Sequence, residues 1–487
     1  MYPPTVPFPV YKSSEWHNSD KWDARKYGRD IDFSRPFFEQ WKELRDQVPH
    51  YSRLVIESTL QNSDYINMCS AAKNCYLIFD SDRNENCYYS YTIQDNRDVV
   101  DCAKVRESEL SYECKDCLKL YNCRYCQNTQ NSTDSAFLYN CTDCTDCFGC
   151  VNMKSAKYAW FNEKLSKEEY EKRRAAVDLG NREQVKQWAE KFEAHKKKFP
   201  KLYFQGVSNV DCTGDYLINS KNALDSYDGF RLEDSRYCYS TFLPMKDAYD
   251  TYEFGEDTSL IYNSVLGGFK SYQIKFSWGT FEGCTDLEYC QHCKSSESCF
   301  GCVGLNKGKY CILNKEYSKE EYERLKAKLI AHMKETGEYG EYFPPAMSPF
   351  GYNKTNAQVD MPLSKEEAVK LGFNWAEEEK SWKPSTYVIP ANIKDVPDSI
   401  VNEVLADKDT GQNYKIIEPE LAFYEKMGIP VPENCFMERH LVRMRSRNPK
   451  QLWDRPCDKC KKPLSTTFDP AKGDTVYCRE CFLEVVV

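Results

Sequence analysis

Residues 69–102 read CSAAKNCYLIFDSDRNENCYYSYTIQDNRDVVDC, and their cysteines, Cys69, Cys75, Cys87 and Cys102, share one reading frame of three. The same frame runs on through Cys114, Cys117, Cys123, Cys126, Cys141, Cys144, Cys147 and Cys150, twelve in all. Random placement would put the other eleven in the frame of the first about once in 10⁵ chains, so the spacing is a repeat signature. A metal site needs four ligands converging on a point. A period sustained from Cys69 to Cys150 describes a line of positions that face one way.

The other members of the frame agree. Between Ser63 and Met153 they include Ile66, Ala72, Ile78, Asn84, Val99, Ser111, Leu120, Ser132 and Leu138, and none is charged in a chain that is 29% charged. The two remaining frames hold Asp80, Asp82, Arg83, Glu85, Arg97, Asp98, Asp101, Lys104 and Arg106. Small or apolar inward and charged outward at period three is neither the 3.6 of a helix nor the 2 of an ordinary strand. It predicts a mainly β chain wound as a short-coil parallel β-solenoid, with a cysteine-rich axis. Asn62, Asn74, Asn86, Asp101, Glu113, Asn140 and Asn152 stand just before the frame, in steps that are multiples of about 12 or 15 residues. Outward tyrosines such as Tyr76 and Tyr88 are placed to stack between coils.

The pattern occurs twice. Cys147-Phe148-Gly149-Cys150-Val151 returns as Cys299-Phe300-Gly301-Cys302-Val303, and the run from Phe161 to Tyr170 returns from Leu313 to Tyr322, both at an offset of 152. The second copy changes frame between about Pro244 and Trp278, so it is the less regular of the two. The predicted organisation is an N-terminal extended segment and capping helix (1–58), a first solenoid (59–165), a helical cap (166–203), a second solenoid (204–317), a helical cap and linker (318–405), and a C-terminal module (406–487).

The 487 residues leave ample chain for two or three domains with buried cores. Mean hydropathy is −0.72 and no apolar run reaches the ~18 residues of a membrane span. The N-terminal MYPPTVPFPVYKSSEW lacks a basic region followed by an apolar one, so a cytoplasmic protein with reduced thiols is expected. The net charge of −9 disfavours the solenoid as a phosphate-backbone surface. Open coil ends invite aggregation unless covered. A helix with Ser34 as N-cap and Pro36 near its start is placed to cover the beginning of the first solenoid. Capping boxes at Ser166-x-x-Glu169 and Ser318-x-x-Glu321 open helices after each copy, and Ser364-x-x-Glu367 opens another in the linker.

Cys457-x2-Cys460 and Cys478-x2-Cys481 give four thiolates on two knuckles, the ligand set and spacing of a structural zinc ribbon. Zinc is the expected metal, with iron or an empty reduced site as alternatives. Cys141, Cys144, Cys147 and Cys150 superficially suggest a ferredoxin run. That run ends C-x3-C-P, and here the second copy replaces the residue matching Cys144 with Ser296. A packing ladder tolerates such a loss more readily than a cluster does, and cross-coil disulfides are the third reading of these cysteines.

WDARKYGRDIDFSRPFFEQW, the KNCY and ENCYYS coils, the CFGC runs, VPDSIVNEVL, ELAFYEKMGIPVP and DRPCDKC to YCRECF together resemble a family of uncharacterised zinc-ribbon proteins abundant in Candidate Phyla Radiation bacteria. The resemblance spans nearly the whole chain and implies no particular activity. It implies a further ribbon-like unit with C-x2-C before the FYEK run and CPxC after it. In this chain those places read DKDTGQ (407–412) and Cys435-Phe436-Met437-Glu438, so only one of four ligands remains and a ribbon-like unit without metal is expected.

Between the two pairs of knuckles lies a basic run, Arg439, His440, Arg443, Arg445, Arg447, Lys450 and Arg455, in which Arg439, Arg443 and Arg447 share one face of a helix. Arg439, Arg443, Arg445, Arg447 and Lys450 are candidates for contact with nucleic acid. The plainer reading is a solvated face, or arginines clamping the acidic solenoid in cis. No Walker loop, dinucleotide fingerprint, G-x-S-x-G or H-E-x-x-H is found. The sequence thus points to a non-catalytic, zinc-binding scaffold that recognises a protein or an RNA-containing assembly. One alternative is a carbohydrate-active hydrolase with paired carboxylates, Asp98 and Asp101 among the candidates, along a β-helix groove. A second is an Fe–S or redox protein. The sequence leaves the oligomeric state open.

Overall fold

The computed structural model describes residues 2–18, 20–253, 255–377 and 382–486. The chain is mainly β and forms two parallel β-solenoids, each an 11-stranded sheet. One compact unit carries the first solenoid with residues 377–448; another carries the second solenoid with residues 1–52.

In the first solenoid, residues 67, 79, 91, 103, 115, 127, 139 and 151 are successive parallel partners, so one coil is twelve residues. Ladders through Ser70, Lys73 and Tyr76 make the other three sides. Every third residue from Asn62 to Phe161 has a positive φ, from 45° to 57° apart from Gly149 at 70°. Each coil therefore turns four corners, and each corner is one left-handed residue placed just before an inward one. This geometry fixes the period of three. A left-handed residue other than glycine costs about 1 kcal/mol, least for Asn and Asp, whose short side chains bond locally. Asn and Asp fill sixteen of these thirty-four corners.

The Asn-type residues that the sequence offers as coil markers are thus corner residues. A step of 15, from Asn86 to Asp101, is one coil plus one corner. Residues on the same corner stack as an amide ladder: the Asn62 Nδ2 donates to Asn74 (3.0 Å), Asn74 to Asn86 (3.1 Å) and Asn86 to Asp98 (2.9 Å). Tyr76 and Tyr88 are direct partners in register, but the ring of Tyr76 meets Tyr65 and Tyr89.

The inward frame forms four columns along the axis. All twelve of its cysteines are buried free thiols. The Cys114 thiol lies within reach of the carbonyls of Tyr112 (3.4 Å) and Cys123 (3.7 Å), and the Cys147 thiol reaches Thr145 (3.3 Å) and Ala156 (3.6 Å) in the same way. A cysteine here acts as a small hydrophobe whose weak donor is satisfied by the next coil. Burial raises the thiols of Cys69 and Cys117.

The second solenoid varies its coil length, with steps of 11 at Gly206 to Leu217, 12 at Gly214 to Ser226, 13 from Leu232 through Met245 to Thr258, and 12 again at Thr285, Glu297 and Lys309. Each 13-residue coil moves the inward frame by one residue. Cys238, Thr251, Ser264, Ser277 and Cys290 therefore fill one column although they belong to different sequence frames. This is the physical content of the frame break between Pro244 and Trp278.

Both solenoids end alike. A short antiparallel hairpin closes the last coil, Ala159 opposite Lys164 and Cys311 opposite Glu316. In each copy an asparagine brackets one backbone position: Asn162 accepts from Val151 N (2.9 Å) and donates to its carbonyl (2.8 Å), and Asn314 does the same with Val303 (2.8 and 2.9 Å). Ser166 and Ser318 cap the following helices, Lys167–Ala175 and Lys319–Glu335. Tyr170 and Phe192 cover Phe137 and Phe148 in one copy; Tyr322, Leu329 and Met333 cover Phe300 and Ile312 in the other.

The N-terminal helix, Phe37–Arg45, differs from expectation in two ways. Ser34 does not cap it; Ser34 turns back onto Asp32, and Pro36 holds the N-cap position. The cap is supplied from far along the chain by Glu338, whose carboxylate accepts from Phe37 N (2.9 Å) and Phe38 N (2.7 Å). Phe37, Phe38, Trp41 and Leu44 pack on Tyr289, Phe300, Ile312 and Leu313, so the helix covers the flank of the second solenoid rather than the start of the first. Among the described residues no helix is long and apolar enough to cross a membrane.

Candidate metal centre

The strands Trp453–Pro456 and Pro463–Thr466 pair as an antiparallel hairpin with Cys457 and Cys460 at its tip. Cys457 N donates to Lys462 O (2.8 Å) and Lys461 N to Cys457 O (2.9 Å), with Lys461 left-handed at φ 65°. This tight knuckle aims two sulfurs one way. Cys478 occupies the N-cap position of the helix Arg479–Leu483, which brings Cys481 round beside it. The four Sγ atoms all lie within 4.8 Å of one another. A tetrahedral ion with sulfur ligands at about 2.3 Å needs its ligands about 3.8 Å apart, so the set fits with a small contraction. Cys457, Cys478 and Cys481 are buried and Cys460 is exposed. Four thiolates and no other ligand type make a closed, soft site able to hold a metal ion. Among the described residues this is the one group of three or more Cys, His, Asp or Glu with ligand atoms so close.

The knuckle geometry is repeated upstream with other side chains. Leu405–Ala406 and Asn413–Tyr414 form a hairpin, Asp407 N donates to Gln412 O (2.8 Å), Gly411 N donates to Asp407 O (2.8 Å), and Gly411 has φ 76°. Cys435 holds the N-cap position of the helix Phe436–Arg445, as Cys478 does for its own. Position for position, Asp407, Thr410, Cys435 and Glu438 replace Cys457, Cys460, Cys478 and Cys481. The Asp407 carboxylate ties the two halves together. One oxygen accepts from Asp409 N (3.0 Å), Thr410 N (2.8 Å) and Thr410 Oγ1 (3.0 Å), and the other from Cys435 N (2.7 Å). Burial opposes its ionisation, but the Cys435 N–H, both Thr410 donors and the Asp409 N–H outweigh it and hold the carboxyl below its ordinary range.

The helix Phe436–Arg445 lies on the first solenoid. Arg439 Nε reaches Asp101 (3.0 Å); Arg443 pairs with Asp101 (2.9 Å) and Glu113 (2.8 Å); Arg447 pairs with Asp116 (2.9 Å). All three arginines are buried. The guanidinium of Arg439 also sits over Tyr89 (5.0 Å), and Phe436 and His440 stack on Tyr91 (5.9 and 3.9 Å). Burial, aided by Arg443, lowers the His440 pKa to about 3, so its ring is neutral. Beneath them Glu420 accepts from Tyr89 and Tyr424, each at 2.7 Å. Of the five candidate nucleic-acid contacts, Arg439, Arg443 and Arg447 are therefore engaged with the protein's own carboxylates. Lys450 pairs with Asp360 (2.7 Å) and lies 3.7 Å from Asp228, and Arg445 is exposed.

The carboxylates weighed for hydrolysis are also engaged in packing. Asp101 points away from the axis, as its frame requires, yet is fully buried by the helix, and Asp98 pairs with Lys426 (3.0 Å) and accepts from Asn86. Sequence reasoning missed Asp407 and Glu338. The signal for Asp407 was available, since Asp at the first position of a lost C-x2-C with Gly four residues on is a knuckle without its metal. Nothing local marks Glu338.

No protein-family model matches the chain, and no curated protein matches it. Among solved structures it is similar to a putative acetyltransferase from Desulfovibrio desulfuricans G20, at 11% identity and a TM-score of 0.13, over 57% of this chain and 81% of that one.

Proposed function

We propose that the protein is a non-catalytic, zinc-dependent scaffold of the cytoplasm that recognises another protein, alone or within an RNA-containing assembly. The observation that carries this reading is the Cys457, Cys460, Cys478, Cys481 set, whose sulfurs lie within 4.8 Å of one another. Four thiolates complete a tetrahedron and leave no open position for substrate or water, which is the chemistry of a structural zinc rather than a catalytic one. A protein partner is favoured over bare RNA because Arg439, Arg443 and Arg447 are held by Asp101, Glu113 and Asp116. That leaves a solenoid surface rich in tyrosine and carboxylate, a poor match to phosphate.

Metal analysis of the purified chain is expected to give one zinc per chain, reduced to none by Cys457→Ser with Cys478→Ser. Several irons, or no metal, would overturn the zinc assignment. Affinity capture from native cells should compare the intact chain with that double variant. Deleting residues 400–487 would be a poor comparison, because it strips the helix Phe436–Arg445 from the first solenoid. Partners retained by the variant bind elsewhere than the ribbon, and the absence of any reproducible partner would sink the scaffold reading.

A further inference from the structure

The two solenoids carry an equivalent outward face; in the first the chain covers the coils at Tyr88, Val100 and Tyr112, whereas in the second its own helices cover the Phe276, Tyr289 and Phe300 end and leave Tyr249 and Tyr262 exposed. Phe148 and Phe300 hold equivalent places in the two CFGC runs. Stepping back coil by coil from Phe148 through Ala136 and Arg124 reaches Tyr112, Val100 and Tyr88. Stepping back from Phe300 through Glu288 and Lys275 reaches Tyr262, Tyr249 and Arg236. The corner residues that follow are Glu113, Asp101 and Tyr89 in the first copy and Asn263, Asp250 and Tyr237 in the second, and all six are left-handed. On the next side Phe79 stacks with Tyr91 at 4.7 Å, and its counterpart Tyr227 stacks with Tyr239 at 5.5 Å.

The first face has a known occupant, the basic helix Phe436–Arg445, gripped through Asp101 and Tyr89. On the second face Tyr249 and Tyr262 are 42% and 39% exposed. Asp250 is exposed and makes no ion pair with any described residue. Asp247 lies on the neighbouring corner and adds negative charge. The face already shows how it holds a guanidinium. Arg236 sits over the ring of Tyr237 (4.6 Å) and pairs with Asp225 (2.8 Å), the same ring-plus-carboxylate grip that Tyr89 and Asp101 apply to Arg439.

We propose that the face formed by Tyr237, Tyr249, Asp250 and Tyr262 is a docking site for an amphipathic helix of another protein that carries arginines four residues apart. The proposal rests on the scaffold reading and specifies the chemistry of its partner. Charge complementarity selects the arginines, and the exposed rings select an apolar flank on the same helix.

The probe is a fluorescent peptide of residues 433–448, ENCFMERHLVRMRSRN, with Cys435→Ser, measured by anisotropy against the intact zinc-loaded chain. Saturable binding is expected. Tyr249→Ala with Asp250→Asn in the protein should weaken it by about tenfold or more, as should Arg439→Gln with Arg443→Gln in the peptide. Tyr249 and Asp250 are exposed, so unchanged circular dichroism is expected for the protein variant. Absence of saturable binding would overturn the site. So would binding indifferent to Tyr249 and Asp250, which would mean that the peptide displaces the chain's own helix from the first solenoid. Neither outcome touches the scaffold reading, which stands or falls on metal content and on partner capture.

Discussion

Asp101 lies under two guanidinium groups, those of Arg439 and Arg443, and is fully buried. Removing one member of such a network strands the others without water, at a cost of about 3 kcal/mol or more. Asp101→Asn should lower the urea midpoint accordingly, whereas Asp98→Ala, which breaks the more exposed pair with Lys426, should cost less than about 1 kcal/mol. Equal effects would mean that the helix is held by its apolar contacts alone. Asp407 acts through hydrogen bonds instead. Asp407→Asn keeps the shape but turns one acceptor into a donor facing backbone N–H groups, a loss of about 2 kcal/mol. Its carboxyl is held below the ordinary value, so its stabilisation is present in full above the unfolded pKa of about 3.9 and is lost as the pH falls through the lower folded value. Stability measured from neutral pH down to that region should therefore fall less steeply with acid in Asp407→Asn than in the parent. A parallel slope in the two proteins would exclude this role.

At the scale of the coil, the cysteine frame made the fold legible because the inward column must be small and uncharged, and that demand repeats at every corner. The 13-residue coils of the second copy were legible only as a break, since an extra residue per coil moves the column through all three frames. Thiol chemistry tests the column. The chain has 25 cysteines, and outside the ribbon only Cys212 is more than slightly exposed. With metal bound, a thiol reagent should label one cysteine rapidly; after chelation at neutral pH it should label about five, Cys212 and the four ribbon residues. Rapid labelling of ten or more would show that the coils open readily. The glycines of the two CFGC runs are a second test. Both are left-handed, and a Cβ would come within 2.7 Å of the Phe161 ring at Gly149 and within 2.8 Å of the Phe37 ring at Gly301. Gly149→Ala and Gly301→Ala should each cost about 1–3 kcal/mol by calorimetry, through backbone strain and displacement of the ring.

At the scale of the whole chain, duplication explains what the sequence order obscured. The helix Phe37–Arg45 precedes the first solenoid in sequence, yet its Phe37 and Trp41 meet Tyr289, Phe300 and Phe343. Chain order could not reveal this, because the two copies offer similar aromatic flanks and the deciding carboxylate is Glu338. The same logic separates the two ribbons. One is organised by four thiolates that must release protons to bind metal; the other by a single carboxylate that needs none. A chelator at neutral pH should therefore raise hydrogen exchange across Trp453–Leu483 and leave Leu405–Glu438 and both solenoids protected. If Leu405–Glu438 opened together with the metal site, Asp407 would not be standing in for an ion, and the upstream ribbon would owe its order to the metal of the other.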